Sequence, residues 1–319
     1  MKIIVIGGVN STLSICQKLV EHELLPSAIY GFEPSNSGLV SGFVSLQPFA
    51  EKHHVPFTPF KKINDHVDEI KRLDADIIFL VGLSQLASKG IINSANLACI
   101  GFHPTALPRG RGRAPIAWLV LEEKCGAVNF FVVGEGADDG AILCSQHFTI
   151  EENDSAASVE HKILLSLNKV LDVWLPQLKR GIWQPVPQDE AQATYYGVRK
   201  SEDGFIDWVH DSGSIDKLIR ASSHPHPGAY SYLGNVKMTI WKSRKEAALM
   251  IKGVIGRILI INADKELLVQ TGDGLIWLSE YEFDICITPQ VGSKIGLNPQ
   301  EEVVKLYHEI ERLKEMIHQ

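Results

Sequence analysis

The stretch KIIVIGGVNSTLSICQKLVEH, Lys2–His22, decides how the rest of the chain is read. KIIVIGG is a continuous apolar run that stops at two glycines, the pattern of a strand buried on both faces and ending in a turn. TLSICQKLVEH then repeats apolar residues at helical spacing. Strand, glycine turn and helix open a βαβ unit, and the following segments keep that rhythm. SAIYGFE and the shorter VPFTPF are strands, and NDHVDEIKRLDA is a helix with Asn64 or Asp65 as its cap. DIIFLVG and LACIGF are strands around another helix. This alternation predicts an α/β fold with a mainly parallel sheet and helices on both faces.

NFFVVG and ILCSQHFTI extend the sheet. A long helix follows, with Val159, Ile163, Leu167, Val170 and Trp174 on one stripe. Pro176 is expected to bend or end it and Gly181 to close it. WQPVPQDEAQATYYGVRKSEDG is polar and proline-containing, so residues 186–200 read as a linker between a domain over 1–185 and another over 201–319. The second domain carries the helix SIDKLIRASS and the closely spaced strands AYSYL, VKMTIWK, GRILIIN, ELLVQTG and LIWLSEYEF, a pattern of small barrels or sandwiches. A charged amphipathic helix, PQEEVVKLYHEIERLKEMI, comes last.

The 319 residues carry a formal net charge of −7, which disfavours nucleic acid as the main partner. No apolar run approaches membrane-spanning length, and the start reads as a first strand rather than a signal peptide. The five cysteines are scattered without a CxxC, which disfavours structural zinc and a disulfide framework. A cytoplasmic, reduced protein is expected, with no membrane and no metal.

Chemistry concentrates in IGFHPTALPRGRGRAPIAW, Ile100–Trp118, which puts His103 at a strand end before a loop holding Arg109, Arg111 and Arg113. Ligands of open α/β sheets bind beyond the carboxyl ends of the strands. VVGEGADDGAIL then offers Asp138 and Asp139 in a glycine-rich turn. A carboxylate beside an imidazole orients it and makes an acid/base pair. Either segment alone also fits a plain surface loop. The first turn, GGVNST, is not a dinucleotide fingerprint. Its helix N-terminus could take a substrate phosphate beside Asn10, or Asn10 or Ser11 simply caps the helix.

GFHPTALPRGRGRAPIAW followed by GEGADDGAIL resembles the formyltransferase family that uses 10-formyltetrahydrofolate. PQDEAQATYYGVRKSEDGFIDW, IRASSHPHPGAYSYLGN and TGDGLIWL resemble the linker and C-terminal region of its amino-sugar and methionyl-tRNA members. The resemblance implies a Rossmann-like catalytic domain followed by a small OB-like β-barrel. It implies His103 as the catalytic histidine and Asp138 as its partner, with Asp139 as the alternative. Gln85, Leu86, Ala87, Arg113 and the turn Gly134, Glu135, Gly136, Ala137 and Asp138 would hold 10-formyltetrahydrofolate. The family's catalytic asparagine falls on Gly101, so water, a backbone N–H or Thr105 replaces it, or the enzyme is slow, or activity is lost.

For the acceptor, the methionyl-tRNA members carry a basic insertion where this chain has GFEPSNSGLVSGFVS, without Lys or Arg. A nucleotide-linked (UDP or dTDP) amino sugar is the expected substrate, with Asn10, Thr105 and Arg111 at its site. A methionyl-tRNA formyltransferase and a folate-binding, non-catalytic homologue are the alternatives. The oligomeric state stays open, with a homodimer among the outcomes. His224 and His226 read as part of a turn.

Overall fold

The computed structural model describes residues 1–35, 40–83, 85–297 and 299–317. Of the segment compared with the basic insertion, 36–39 lie outside the described residues. The chain divides into two compact units, 1–199 with 225–227, and 200–224 with 228–319.

In the first unit the elements run β1 (Ile3–Gly7), α1 (Asn10–Glu21), β2 (Ala28–Phe32), α2 (Gln47–His53), β3 (Phe57–Phe60), α3 (Val67–Arg72), β4 (Ile77–Leu80), α4 (Lys89–Ile92) and β5 (Ala98–His103). Then come β6 (Arg111–Gly112), α5 (Pro115–Glu122), β7 (Cys125–Val132), β8 (Ile142–Thr149), α6 (Ala156–Lys179) and β9 (Tyr195–Tyr196). Seven strands form one sheet in the order β3-β2-β1-β4-β5-β7-β8. The first five are parallel and β7 and β8 are antiparallel to their neighbours. Every residue of β1 is buried, as a parallel strand covered on both faces requires. Alternate side chains take opposite faces. Ile4, Ile6 and Ile78 pack with Ile63, Ile70 and Ile91. Phe79 and Phe130 instead meet Trp174 of α6.

Several local expectations are corrected. The N-cap of α1 is Val9, with no side-chain cap from Asn10 or Ser11. Asn64 and Asp65 lie in a 3₁₀ turn before α3 and cap nothing there, because the Asn64 side chain reaches across to Leu86 O and Ser88 N. Helix α6 runs through Pro176 to Lys179, and Gly181 follows in a positive-φ conformation. Residues 186–199 belong to the first unit and are not a free linker.

The second unit contains α7 (Ser212–Ser222), β10 (Ala229–Leu233), β11 (Val236–Glu246), β12 (Ile258–Ile261), β13 (Leu267–Gln270), β14 (Leu275–Phe283) and α8 (Pro299–Ile317). Its strands form an antiparallel sheet, β10-β11-β14-β13-β12. Its two edges are drawn toward closure by Lys294 and Ile295, which bridge Arg257 before β12 and Leu233 of β10. Ile215 and Ile219 of α7 plug its core beside Met238, Ile240 and Ile276. His224 stacks on Trp241 at 3.9 Å, a packing role. No helix among the described residues is long and apolar enough to cross a membrane.

Candidate active site

Strand β5 delivers His103 to its carboxyl end, where the ring is nearly enclosed. Nδ1 lies 3.3 Å from Asp138 Oδ2, and Nε2 lies 2.9 Å from Gly110 O. Both ring nitrogens thus face acceptor oxygens. Asp138 Oδ2 also accepts from Gly112 N at 2.9 Å. Asp138 sits in the left-handed region at φ 52°, a conformation that Asp tolerates better than most residues. Asp139 turns back on its own loop, accepting from Gly136 N. The histidine's carboxylate neighbour is therefore Asp138.

The loop after His103 is held from below by Asn129, directly opposite it in the β5–β7 register. The Asn129 amide donates to the carbonyls of His103, Thr105 and Ala127 and accepts from the Ser145 hydroxyl. It is also held from the side by residues 186–199. Gly110 N donates to Thr194 Oγ1, Arg111 N to Thr194 O, and Arg113 N to Tyr196 O, so that β6 pairs with β9. Tyr196 stacks on Trp118 at 5.0 Å, and Trp118 Nε1 donates to Gly197 O. We call residues 186–199 the strap.

Arg111 is the hub of this arrangement, and its expected role is corrected. Its side chain has no exposed surface. Its guanidinium donates to both Glu190 carboxylate oxygens at 2.7 and 2.9 Å, to Gln188 Oε1 and to the Tyr195 hydroxyl. With every outward direction taken, its guanidinium has no donor left for a substrate. The Glu190 carboxylate raises the guanidinium's already high pKa, and the guanidinium in turn lowers that of Glu190. Gln188 completes the link, donating through Nε2 to Asp138 O at 2.8 Å and Gly140 O at 2.7 Å.

Thr105 is likewise corrected: its hydroxyl is buried and donates to Arg109 O, so it cannot replace the family asparagine. Asn10 is half-buried and donates to Glu160 Oε1 of α6. Arg109 and Arg113 are exposed. At Gly101 a Cβ would fall 2.6 Å from the Phe131 ring, which occupies the space an asparagine would need. Gly101 has no positive φ, so the obstacle is the ring and not the backbone.

The segment Gln85–Ala87 is fixed by its surroundings. Gln85 accepts from Ile63 N and donates to Lys61 O, while Asn64 holds Leu86 O and Ser88 N. Lys89 pairs with Glu135, joining this segment to the turn 134–138. Among the described residues, the buried side-chain polar atoms without a hydrogen-bond partner are Ser88 Oγ and Asp139 Oδ1. One borders each segment. Gln188, Glu190, Asn129 and Phe131 also shape the site, although nothing in the motifs points to them. Only Asn129 carried a signal of its own, a lone amide inside an apolar strand.

Against known proteins, residues 36–171 match the family described as "Formyl transferase" and residues 199–287 match "Formyl transferase, C-terminal domain". The chain belongs to the formyltransferase family, an enzyme family. Three solved structures illustrate its relatives. HypX from Aquifex aeolicus, in complex with tetrahydrofolic acid, is 17% identical with a TM-score of 0.63 over 88% of this chain and 44% of that one. The chain thus spans less than half the length of HypX. An N-formyltransferase from Helicobacter canadensis, in complex with folinic acid and dTDP-3-aminofucose, is 16% identical with a TM-score of 0.61 over 87% of this chain and 98% of that one. Methionyl-tRNA formyltransferase from Clostridium thermocellum is 20% identical with a TM-score of 0.54 over 79% and 96%.

Proposed function

We propose that the protein transfers a formyl group from 10-formyltetrahydrofolate to the amine of a nucleotide-linked amino sugar. The observation that carries the reading is the enclosed His103–Asp138 pair at the carboxyl end of β5. Gln85–Ala87, the turn 134–138 and exposed Arg113 would hold the folate, whose formyl carbon is the electrophile. The fit is supported by the two orphaned atoms, Ser88 Oγ and Asp139 Oδ1, which border those segments. Buried polar atoms are rarely left unpaired, and a ring bearing donors and acceptors would satisfy both.

The acceptor amine attacks the formyl carbon through its lone pair. The proton it sheds is taken by the His103–Asp138 pair and returned to the departing folate nitrogen. Asp138 keeps 20% side-chain exposure against 6% for His103, so the amine meets the carboxylate first and the imidazole supports it from behind. No covalent enzyme intermediate is required. Exposed Arg109 suits a diphosphate. The choice of a sugar over tRNA rests on the acidic total and on the lack of Lys and Arg in 31–45. The dTDP-amino sugar bound by the Helicobacter relative supports the same choice.

Incubation with 10-formyltetrahydrofolate and a panel of UDP- and dTDP-linked amino sugars, read by mass spectrometry, tests the reading. One sugar should gain a formyl group, and Asp138→Asn and His103→Gln should each slow the reaction by about a hundredfold or more. Efficient formylation of methionyl-tRNA at physiological salt would overturn the acceptor. Folate binding with no transfer to any amine would overturn the enzymatic reading in favour of the folate-holding one.

A further inference from the structure

Helix α8 leaves an apolar stripe uncovered. Val303, Leu306, Tyr307, Ile310, Leu313, Met316 and Ile317 are all between 46% and 80% exposed. On a helix of a soluble protein such a stripe normally faces a core. Val303, Leu306, Ile310, Leu313 and Ile317 alternate steps of three and four residues, the a and d positions of a heptad repeat. We propose that this stripe is a self-association surface, on which α8 of a second copy of this chain docks in a parallel, in-register, two-stranded coil.

Three features select that occupant. The a positions are Val303, Ile310 and Ile317 and the d positions are Leu306 and Leu313, the β-branched-at-a and leucine-at-d choice that favours parallel pairs. Second, the register is electrostatically self-complementary. Glu309 falls at g and Lys314 at the following e, so in a parallel coil each Glu309 faces the Lys314 of the other copy, twice by symmetry. Among the described residues, these charges pair along the exposed face of the helix within one copy, Arg312 with Glu309 and Lys314 with Glu311. Such pairs are weak and are easily exchanged for contacts across an interface. Third, the polar face mixes Lys305, Arg312 and Lys314 with Glu302, Glu309, Glu311 and Glu315, whereas a helix lying on an anionic membrane is rich in Lys and Arg. The stripe is short, so the pairing is expected to be reversible and concentration-dependent.

Sedimentation equilibrium of the full chain over a range of concentrations should show a monomer–dimer equilibrium. Ile310→Lys should weaken it at least tenfold without changing the far-UV circular dichroism. Glu309→Lys should also weaken it, and Glu309→Lys combined with Lys314→Glu should restore it. In a background with the exposed Cys125 and Cys286 changed to serine, Leu313→Cys alone should form an intermolecular disulfide on mild oxidation. A chain that stays monomeric at every concentration would overturn the proposal. So would a dimer indifferent to Ile310→Lys, or cross-linking that requires Leu306→Cys and Leu313→Cys on opposite chains. A monomer that floats with phosphatidylglycerol vesicles through this helix would reassign the stripe to lipid.

Discussion

Gly101 and Phe131 face each other across the β5–β7 pairing, and each explains the other. The ring stands where a side chain at 101 would begin, so a residue that lacks one is the residue that fits. Gly101→Asn is therefore expected to destabilise the protein by about 1–3 kcal/mol through overpacking, measured by urea unfolding, and not to speed formyl transfer. The double change Gly101→Asn with Phe131→Ala should cost less than the sum of the two single changes, because removing the ring clears the space that Asn needs. If Gly101→Asn alone were as stable as the parent, the ring would have to be mobile enough to yield. His103 carries a related lesson. The sequence places it at a strand end before a charged loop, and its ring is nearly enclosed there, with Nε2 engaged by Gly110 O. Truncation to alanine would orphan that carbonyl, which is why glutamine is the better probe of its chemistry.

The strap is the element that couples the two halves of the candidate site. Asp138 is fixed at three points: its carbonyl by Gln188, and its Oδ2 by Gly112 N and by His103. A non-glycine residue at positive φ holds such a conformation only when its surroundings overdetermine it. Gln188→Leu keeps the volume and removes the contact to the Asp138 carbonyl. It is expected to lower kcat for formyl transfer by at least about tenfold with unchanged far-UV circular dichroism, since small misplacements of a reacting group are costly. Unchanged kcat would mean that Gly112 and His103 suffice to hold Asp138. This element also marks how far the sequence could be read. The strands were legible because apolar runs bounded by turns have one reading in a βαβ series, and the approach of Asp138 to His103 was legible from the motifs they stand in. Arg111 was misread as a substrate-site residue because its partners, Gln188 and Glu190, lie 77 and 79 residues away in a stretch whose polarity mimics a linker. Asn64 was misread as a cap for the same reason: its partners, Leu86 and Ser88, are 22 and 24 residues on. Local pattern carries no information on contacts of that span.

Across the whole molecule, ion-paired carboxylates set the acid limit of stability. Burial raises the pKa of Asp154 and Asp172, but Lys162 and Ser158 for the first, and Lys18 and His22 for the second, outweigh it and hold both below the usual 3.8. Arg111 does the same for Glu190, and Arg244 for Glu266 in the second unit, relative to 4.5. A carboxyl group with a depressed folded-state pKa contributes stability above its unfolded pKa and loses it as pH falls through the folded value. The thermal midpoint should therefore be little affected by these groups near neutrality and should fall steeply below about pH 4, followed by calorimetry. A midpoint that held to pH 3 would show that these pairs add little. The strap has one more consequence, in the order of synthesis. The loop of His103 leaves the ribosome early, but Gly110 cannot meet Thr194 until 84 more residues have been made. A nascent chain that stops at the long helix already contains the histidine and both aspartates, yet nothing holds Asp138 by its carbonyl or shields Arg111. The candidate site of the first unit is thus completed only when the strap has been made, just as the second unit begins to emerge.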